Sequence, residues 1–314
     1  MTSTAAPRIR AKQRPGDRLF SGTALTAGAL ILAILAAVAA FLVLQGVPGI
    51  TADPENTTLL EGTNFWAYVG PLVFGTLWSA GLALLMAVPI AIGIALFISH
   101  YAPRPLAATL GYIIDLLAAV PSVVFGLWGG NVLAVGVQPF YAWLVDNFGW
   151  IPLFAGPASG TGRTILTASI VLAVMILPII TAICREVFLQ TPVLHEEAAL
   201  ALGATRWEMI KTAVLPFGRA GIVSGAMLGL GRALGETMAV AMVLSASNVI
   251  TFNVVSSTNP STIAANIALS FPEAYGLNVN VLIATGLILF AITLVVNTIA
   301  RYIVNRRKEF SGAN

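Results

Sequence analysis

The sequence predicts an all-α integral membrane protein with about six transmembrane helices. Of its 314 residues, 58% are hydrophobic and only 9% are charged, whereas a soluble domain carries roughly 25% charged residues. Apolar segments long enough to cross a bilayer recur about six times, and the basic residues fall mainly in alternate connections between them. An apolar exterior is stable against lipid but not against water, so the composition excludes a soluble enzyme and a membrane anchor that carries a large soluble domain.

Each apolar segment is predicted to be helical, because a lipid-exposed segment can satisfy its backbone hydrogen bonds only internally. The segments are Leu19–Leu44, Val69–Ser99, Thr109–Val135, Thr164–Ile183, Ala220–Ser245 and Val279–Ile303. Basic residues precede the first segment, as in a signal peptide. The apolar run from Ala24 to Leu44 is nevertheless longer than the ~7–15 residues of a signal-peptide core. We therefore expect a retained first helix.

The distribution of basic residues predicts that both termini are cytoplasmic. With an even number of spans, nearly all basic residues lie on one side, namely Arg8, Arg10, Lys12, Arg14, Arg18, Arg104, Arg185, Arg206, Lys211, Arg219, Arg301, Arg306, Arg307 and Lys308. This is the positive-inside pattern, and it accounts for the net charge of +3 without a nucleic-acid partner. The outer loops are then Gln45–Tyr68, Gly136–Gly162 and Ser247–Asn278, and Ser261–Ser270 is predicted to form a short surface helix.

The connection between the fourth and fifth segments carries the signals of two short helices. Thr191 is predicted to cap the first helix and Gly203 to end it. Thr205 and Glu208 form a capping-box pattern that opens the second helix, and Pro216 is predicted to close it. A simple connection needs only a few residues, and this one uses more than thirty. We therefore expect a surface on which another protein docks.

Parts of this loop resemble the EAA loop of permease subunits of ATP-binding-cassette (ABC) importers. The matching residues are Glu197-Ala198-Ala199, Gly203 and Leu215-Pro216, while Ala213 stands where that family usually has isoleucine. The resemblance implies that the loop contacts a partner ATPase subunit. The predicted coupling residues, which include one large apolar side chain, are Glu197, Ala198, Ala199, Gly203, Trp207, Leu215 and Pro216.

Two further segments resemble PstC-type permease subunits of phosphate-specific importers. Leu228–Val240 resembles their fifth helix and Ala119–Trp128 their third. The resemblance implies a type I ABC importer permease fold in the plasma (inner) membrane that moves phosphate inward by alternating access. It also implies three kinds of partner besides membrane lipid: a PstA-like permease, a PstB-like ATPase dimer and a PstS-like external phosphate-binding protein. The sister subunit PstA shares the same architecture.

The resemblance also suggests how the chain is divided. Residues 1–18 form a basic cytoplasmic segment, and residues 19–68 form the first helix with its outer loop. A type I permease domain covers residues 69–305 and contains the coupling loop 191–216, and residues 306–314 form a cytoplasmic tail.

Arg232 and Glu236 are the candidate residues of the substrate pathway. Arg232 lies thirteen residues beyond Arg219, which is ~20 Å along a helix and places the guanidinium well inside the hydrocarbon layer. Glu236 follows at i+4, on the same face of a continuous helix, and is predicted to form an ion pair with Arg232. The pair either locks helix packing or, as we favour, Arg232 offers its guanidinium to a passing oxyanion.

Several kinds of chemistry are absent from the sequence. No G-x-x-x-x-G-K-[ST] segment occurs, so the chain is predicted not to be an ATPase, and ATP and Mg²⁺ are expected on the partner subunit. We assign no catalytic residues, no metal site and no cofactor. Asp115 is predicted to be a solvated carboxylate at the membrane interface. A permease for sulfate or molybdate, an ion-coupled secondary transporter and a phosphate-sensing scaffold remain as alternatives.

Overall fold

A computed structural model describes residues 15–308, and the side chains of residues 16–302. Twelve α-helices occupy most of this part of the chain. They are α1 (Pro15–Ile50), α2 (Phe65–Leu96), α3 (Arg104–Ala118), α4 (Ser122–Trp128), α5 (Ala134–Phe148), α6 (Ile165–Leu189), α7 (Val193–Ala201), α8 (Arg206–Met209), α9 (Leu215–Leu234), α10 (Met238–Val243), α11 (Ile263–Ser270) and α12 (Leu277–Lys308).

Short irregular helices join several of these elements. Single π-helical turns at Phe97–Tyr101, Gly129–Leu133 and Ile210–Val214 extend or fuse neighbouring helices. Two 3₁₀ turns lie at Pro54–Asn56 and Phe271–Glu273, and a two-residue parallel ladder pairs β1 (Ala246–Ser247) with β2 (Asn259–Pro260).

Six helices in the described part of the chain are long and apolar enough to cross a membrane, which confirms the predicted number. They are Gly16–Ile50, Phe65–Tyr101, Ser122–Phe148, Ile165–Leu189, Arg206–Leu234 and Leu277–Tyr302. The chain is therefore a multi-pass membrane protein.

The bounds predicted for the third span are wrong. The structure breaks the predicted Thr109–Val135 helix before Pro121 and continues it, through a π turn, as far as Phe148. Pro121 cannot supply the backbone N–H that a continuing helix needs, and it disfavours helical geometry in the residue before it. The predicted outer loop Gly136–Gly162 is accordingly helical up to Phe148.

The fifth span also differs from the prediction. Instead of one helix over Ala220–Ser245, the helix runs from Arg206 to Leu234, and a break over residues 235–237 precedes α10. Gly235 is the C-cap residue of α9, which is a common place for a helix to end.

Close packing of α6 with α2 and α9 forms the centre of the bundle. On α2, small side chains at four-residue spacing are fully buried, namely Ala83, Ala87, Ala91 and Ala95. On α9, glycines contact α6: a methyl group on Gly225 would lie 3.4 Å from Ile183 Cβ, and one on Gly229 would lie 2.8 Å from Ile180 Cδ1. Small residues allow membrane helices to approach closely, so this seam holds α9 in register with α6.

α1 is peripheral and packs against α12. Gly46 faces the backbone of Ala284, and Gly49 faces the backbone of Asn280, whose side-chain amide donates a 2.7 Å hydrogen bond to the Gln45 carbonyl. Most other side chains of α1 are exposed in the isolated chain.

The bundle has two ends. One, which we call the α7 end, carries α7, α8 and the π turn after α2, and the opposite end carries α11 and the loop before it. This loop packs on α2, where the Thr76 hydroxyl accepts the Ile263 N–H at 2.9 Å. The predicted surface helix exists as α11, with Thr262 as its cap. Its first turn is buried rather than exposed, because it covers α2.

Candidate functional site

Arg232 lies near mid-depth in the bundle. α9 runs antiparallel to α6, with Gly225 beside Ile183 and Gly229 beside Ile180. Extending this register by one turn places Arg232 beside Ile176. α6 has 25 residues and is therefore ~37 Å long, and Ile176 is close to its middle. The depth predicted from the spacing to Arg219 agrees with this geometry.

The guanidinium of Arg232 has no ion-pair partner among residues 16–302. Its Nε atom is buried and has no hydrogen-bond acceptor. The predicted ion pair with Glu236 is wrong, because α9 ends at Leu234 and the two residues do not share a continuous helix.

Glu236 has a different structural role from the predicted one. It is only 8% exposed, and its Oε1 accepts the backbone N–H of Ala239 at 3.0 Å. A carboxylate at this position satisfies one of the unpaired N–H groups at the start of α10 and favours the positive end of the helix dipole.

Two half-helices start side by side in the middle of the bundle. Gly126 of α4 faces Ala239 of α10 at 2.9 Å, and one turn later Gly129 faces Val243 at 2.9 Å, both distances measured from a methyl group placed on the glycine. α4 and α10 are therefore parallel, and their N-terminal ends lie within about one turn of each other. Pro121 explains the break before α4, and Gly235 is the C-cap residue of α9, at φ −94°.

Arg232 lines a cavity of about 640 Å³ between α6, α9 and α12. Its lining is apolar except for a hydroxyl, an amide and two guanidinium groups, and the residues are Ile179, Val223, Ser224, Met227, Leu228, Gly231, Arg232, Asn297, Ala300 and Arg301. None of these described lining residues carries a carboxylate. The sequence analysis missed Asn297 as a site residue and used Arg301 only for orientation, although their spacing of four residues could have identified a shared helix face.

The coupling-loop helices form largely as predicted. α7 ends with Gly203 in the left-handed conformation, at φ +86°, which glycine adopts without the penalty of a side chain. The Thr205–Glu208 capping box is present. Thr191, however, does not cap α7: the cap residue is Pro192, and the Thr191 hydroxyl is buried without a partner.

Pro216 does not close the second coupling helix. α8 continues through the π turn Ile210–Val214 into α9, so that Arg206–Leu234 is one helix. Pro216 lies in the first turn of α9, just after the π turn, where a missing N–H is tolerated. Consequently the coupling loop and Arg232 lie on the same helix.

A groove of about 710 Å³ separates α7 from the start of α9. It is lined mainly by small and apolar residues, namely His195, Ala198, Ala199, Leu202, Ala204, Thr212, Ala213, Pro216 and Phe217. Leu202 is 90% exposed and Trp207 is 49% exposed. Of the other predicted coupling residues, Glu197 and Gly203 are exposed beside the groove, and Leu215 packs against the core.

One side-chain contact connects α7 directly to α2. His100 Nε2 lies 3.3 Å from Glu196 Oε1, and its Nδ1 lies 2.6 Å from the Ser99 hydroxyl. His100 follows α2 in the π turn Phe97–Tyr101. The sequence analysis assigned no role to this histidine, because no neighbour in sequence suggested a site.

Asp115 lies at the α7 end, where Arg185 Nη2 is 3.9 Å from its Oδ2. The Asp115 side chain is 57% exposed, which agrees with the interfacial position predicted. Gly111 leaves room for the Arg185 guanidinium against α3.

Comparison with protein families identifies residues 87–309 as a match to the binding-protein-dependent transport system inner membrane component family. A phosphate transport system permease protein PstC 2 from Mycobacterium tuberculosis is 45% identical over 302 residues, covering 92% of both chains. A phosphate transport system permease protein PstC from Mesorhizobium japonicum is 39% identical over 314 residues, covering 95% of this chain and 92% of the relative.

Solved structures with the same fold include the MetNI methionine ABC transporter in inward-facing conformations. One chain superposes with a TM-score of 0.52 at 17% identity and covers 82% of this chain and 99% of its own length. Another has a TM-score of 0.51 at 20% identity, with 76% and 93% coverage. At these identities the likeness supports the type I importer permease fold and no more.

Proposed function

Because the chain belongs to the binding-protein-dependent transport system inner membrane component family, we propose that it is the permease subunit of an ATP-driven importer that moves inorganic phosphate into the cytoplasm. Relatives that match over most of the chain are phosphate transport system permeases. The subunit itself is not an ATPase and works within a multi-subunit ABC transporter.

The observation that carries this proposal is the unpaired guanidinium at mid-depth. Arg232 lines a cavity, and its Nε has no acceptor among the described residues. A guanidinium binds two phosphate oxygens at once and stays charged at any working pH. An isolated arginine at this depth costs roughly 2.5–3.5 kcal/mol on insertion scales, and a bound oxyanion offsets part of that cost by supplying the missing acceptors.

The continuous helix from α8 to α9 explains how ATP hydrolysis acts on this site. Trp207 and Arg232 lie 25 residues apart on one helix, or ~38 Å. In the proposed complex a PstB-like ATPase dimer binds ATP and Mg²⁺ and docks on α7, α8 and the groove beside them. Movement of the docked ATPase then shifts α9 as a lever and changes the access of Arg232 to each side of the membrane.

The proposed orientation places the α7 end and both termini in the cytoplasm, in line with the positive-inside rule. The opposite end, with α11 and its preceding loop, then receives phosphate from a PstS-like binding protein. The cavity face of α9, with the exposed Gly231, lies open in the isolated subunit, and a PstA-like permease completes the pathway there.

Phosphate uptake by variants at position 232 tests the proposal. In cells or vesicles that contain the whole transporter, Arg232→Ala should abolish ATP-dependent phosphate uptake, and Arg232→Lys should retain part of it because the charge remains. Arg219→Ala, an exposed arginine on the same helix outside the cavity, is the matched control and should transport normally. Normal uptake by an assembled Arg232→Ala transporter would contradict the proposal. Competition by sulfate or molybdate in the same assay separates a phosphate permease from one for another oxyanion.

A further inference from the structure

The cavity that Arg232 lines contains a second set of hydrogen-bond donors, on α12. Asn297 and Arg301 are one helical turn apart, and both line the cavity. Arg301 is exposed, and within residues 16–302 it forms no ion pair. An amide and a guanidinium on one face can donate several hydrogen bonds to one oxyanion.

The cavity extends from mid-depth to the α7 end of the bundle. α12 starts at Leu277, at the opposite end, and Arg301 lies 24 residues further along, or ~36 Å. Arg301 therefore lies at the α7 end of the bundle. On the antiparallel α9, Val223 and Ser224 line the same end of the cavity, and Arg232 lines the deeper end.

The charges of this cavity are unbalanced. Among the described residues that line it, two carry guanidinium groups and none carries a carboxylate. Glu236, four residues beyond Arg232, accepts the Ala239 N–H at the start of α10 and is not among the described lining residues. A partly buried guanidinium against an apolar wall is costly without a counter-charge, so the deeper end of the cavity favours a small anion at Arg232, while Arg301 offers a second guanidinium at the exposed end.

We propose that Arg301 and Asn297 form a second binding position for a phosphate oxyanion, at the α7 end of the cavity whose deeper position is Arg232. The proposal rests on the function proposed above. An anion released by Arg232 would pass to Arg301 before it leaves the bundle. Two sources offer this chemistry: inorganic phosphate in transit and the headgroup of a phospholipid.

Uptake measurements on the whole transporter are the first test. Loss of one charge-assisted contact lowers the rate by about tenfold or more, so Arg301→Gln should reduce phosphate uptake by that factor. Arg301→Lys should restore most of it, because the charge is restored. The control Arg219→Gln removes an equal charge near the same end of the bundle, outside the cavity, and should leave uptake unchanged. Uptake by Arg301→Gln equal to the parent would overturn the proposal.

The rate of cysteine labelling identifies the ligand without a transport measurement, and rescue of uptake by a charged thiol reagent is a second readout. The chain has one cysteine, Cys184, so Arg301→Cys is made in a Cys184→Ala background and purified as the complete complex in a maltoside detergent, which contains no phosphate. In the Asn297→Cys variant, which retains Arg301, we expect millimolar inorganic phosphate to slow modification of the new cysteine. In the Arg301→Cys variant, we expect a positively charged thiol reagent to restore phosphate uptake. A negatively charged reagent should not restore it.

The outcomes separate the two sources and the two proposals. Slowing by inorganic phosphate supports a transport position, and slowing by added phosphatidylglycerol alone supports a lipid-headgroup position and contradicts transfer from Arg232. If neither inorganic phosphate nor phosphatidylglycerol slows the labelling, the proposed binding position is wrong. If Arg232→Ala abolishes uptake while Arg301→Gln is normal, only this inference fails. If Arg232→Ala transports phosphate normally, the pathway proposed in the preceding subsection is wrong, and this inference, which rests on it, is wrong as well.

Discussion

Replacing Glu236 by alanine should destabilise the protein more than replacing it by glutamine. The Glu236 carboxylate accepts the Ala239 N–H at 3.0 Å and is 8% exposed. Loss of a helix cap costs about 0.5–2 kcal/mol, and a buried donor left without a partner costs about 1–3 kcal/mol. Both values describe the same bond, so we expect about 2 kcal/mol for Glu236→Ala. Glutamine has a side chain of the same length and keeps an acceptor oxygen, but its neutral hydrogen bond is weaker, so Glu236→Gln should lower the free energy of unfolding by about 1 kcal/mol.

Equilibrium unfolding in detergent measures these differences. The purified protein in a mild detergent is titrated with sodium dodecyl sulfate, and tryptophan fluorescence follows unfolding. The same titration on Arg232→Ala and on the double variant gives the coupling energy between positions 232 and 236. Because the two side chains form no ion pair, this coupling should be below about 0.5 kcal/mol.

Two results would refute this reasoning. A coupling energy above about 1.4 kcal/mol, or tenfold in the unfolding equilibrium, would show that Arg232 and Glu236 stabilise each other directly. Equal stability of Glu236→Ala and the parent would show that the contact with Ala239 contributes nothing. Phosphate uptake by a stable Glu236→Gln protein then reports on the negative charge alone, separately from its capping role.

The remaining predictions concern the outer loop and the coupling loop. Gly75→Ala should destabilise the protein by about 1–3 kcal/mol, because the new methyl group would overlap the Ser261 carbonyl. Gly70→Ala on the same helix places its methyl group in open space and should stabilise the protein by up to about 1 kcal/mol. Thermal unfolding compares the two variants, and equal stability would contradict the packing described. Glu196→Gln weakens the contact with His100, worth about 1 kcal/mol, so the ratio of phosphate transported to ATP hydrolysed in vesicles should fall by about fivefold. His100→Ala should have the same effect, and the double variant should be no worse than either single one; additive losses would show that the two residues act independently.

The number and composition of the spans could be predicted from the sequence because each rests on a local property. A bilayer demands ~20 apolar residues wherever a helix crosses it, and the predicted segments Val69–Ser99 and Val279–Ile303 satisfy that demand without reference to any other element. The capping box at Thr205 and the glycine at position 203 are also local, and the structure confirms both.

The misjudged bounds all involve residues whose meaning depends on tertiary context. Pro121 and Gly235 break helices in the middle of the bundle, whereas Pro139 and Pro178 lie inside α5 and α6 without ending them. Pro216 likewise lies within a continuous helix, because the π turn before it absorbs the missing hydrogen bond. Nothing in the sequence near these prolines distinguishes a break from a tolerated irregularity.

Contacts between residues that are distant in sequence could not be predicted for a related reason. The i+4 spacing of Arg232 and Glu236 predicted an ion pair, and that inference is valid only on an unbroken helix. His100 and Glu196 are 96 residues apart, and Arg232 and Arg301 are 69 apart, so only the folded bundle brings them to a common contact or cavity.

The broken helices concentrate at the positions where transport chemistry is proposed. A break exposes backbone N–H groups that a continuous membrane helix would satisfy internally, and such exposure is tolerated only where protein or a polar ligand supplies partners. Glu236 supplies one partner to α10, while α4 starts just after its N-cap residue Pro121, without a side-chain cap. The breaks also end α9 just beyond Arg232, so its guanidinium lies at the tip of a rigid helix that begins in the coupling loop. A helix that continued to Ser245, as the sequence suggested, would pair Arg232 with Glu236 and leave no free guanidinium for a passing anion.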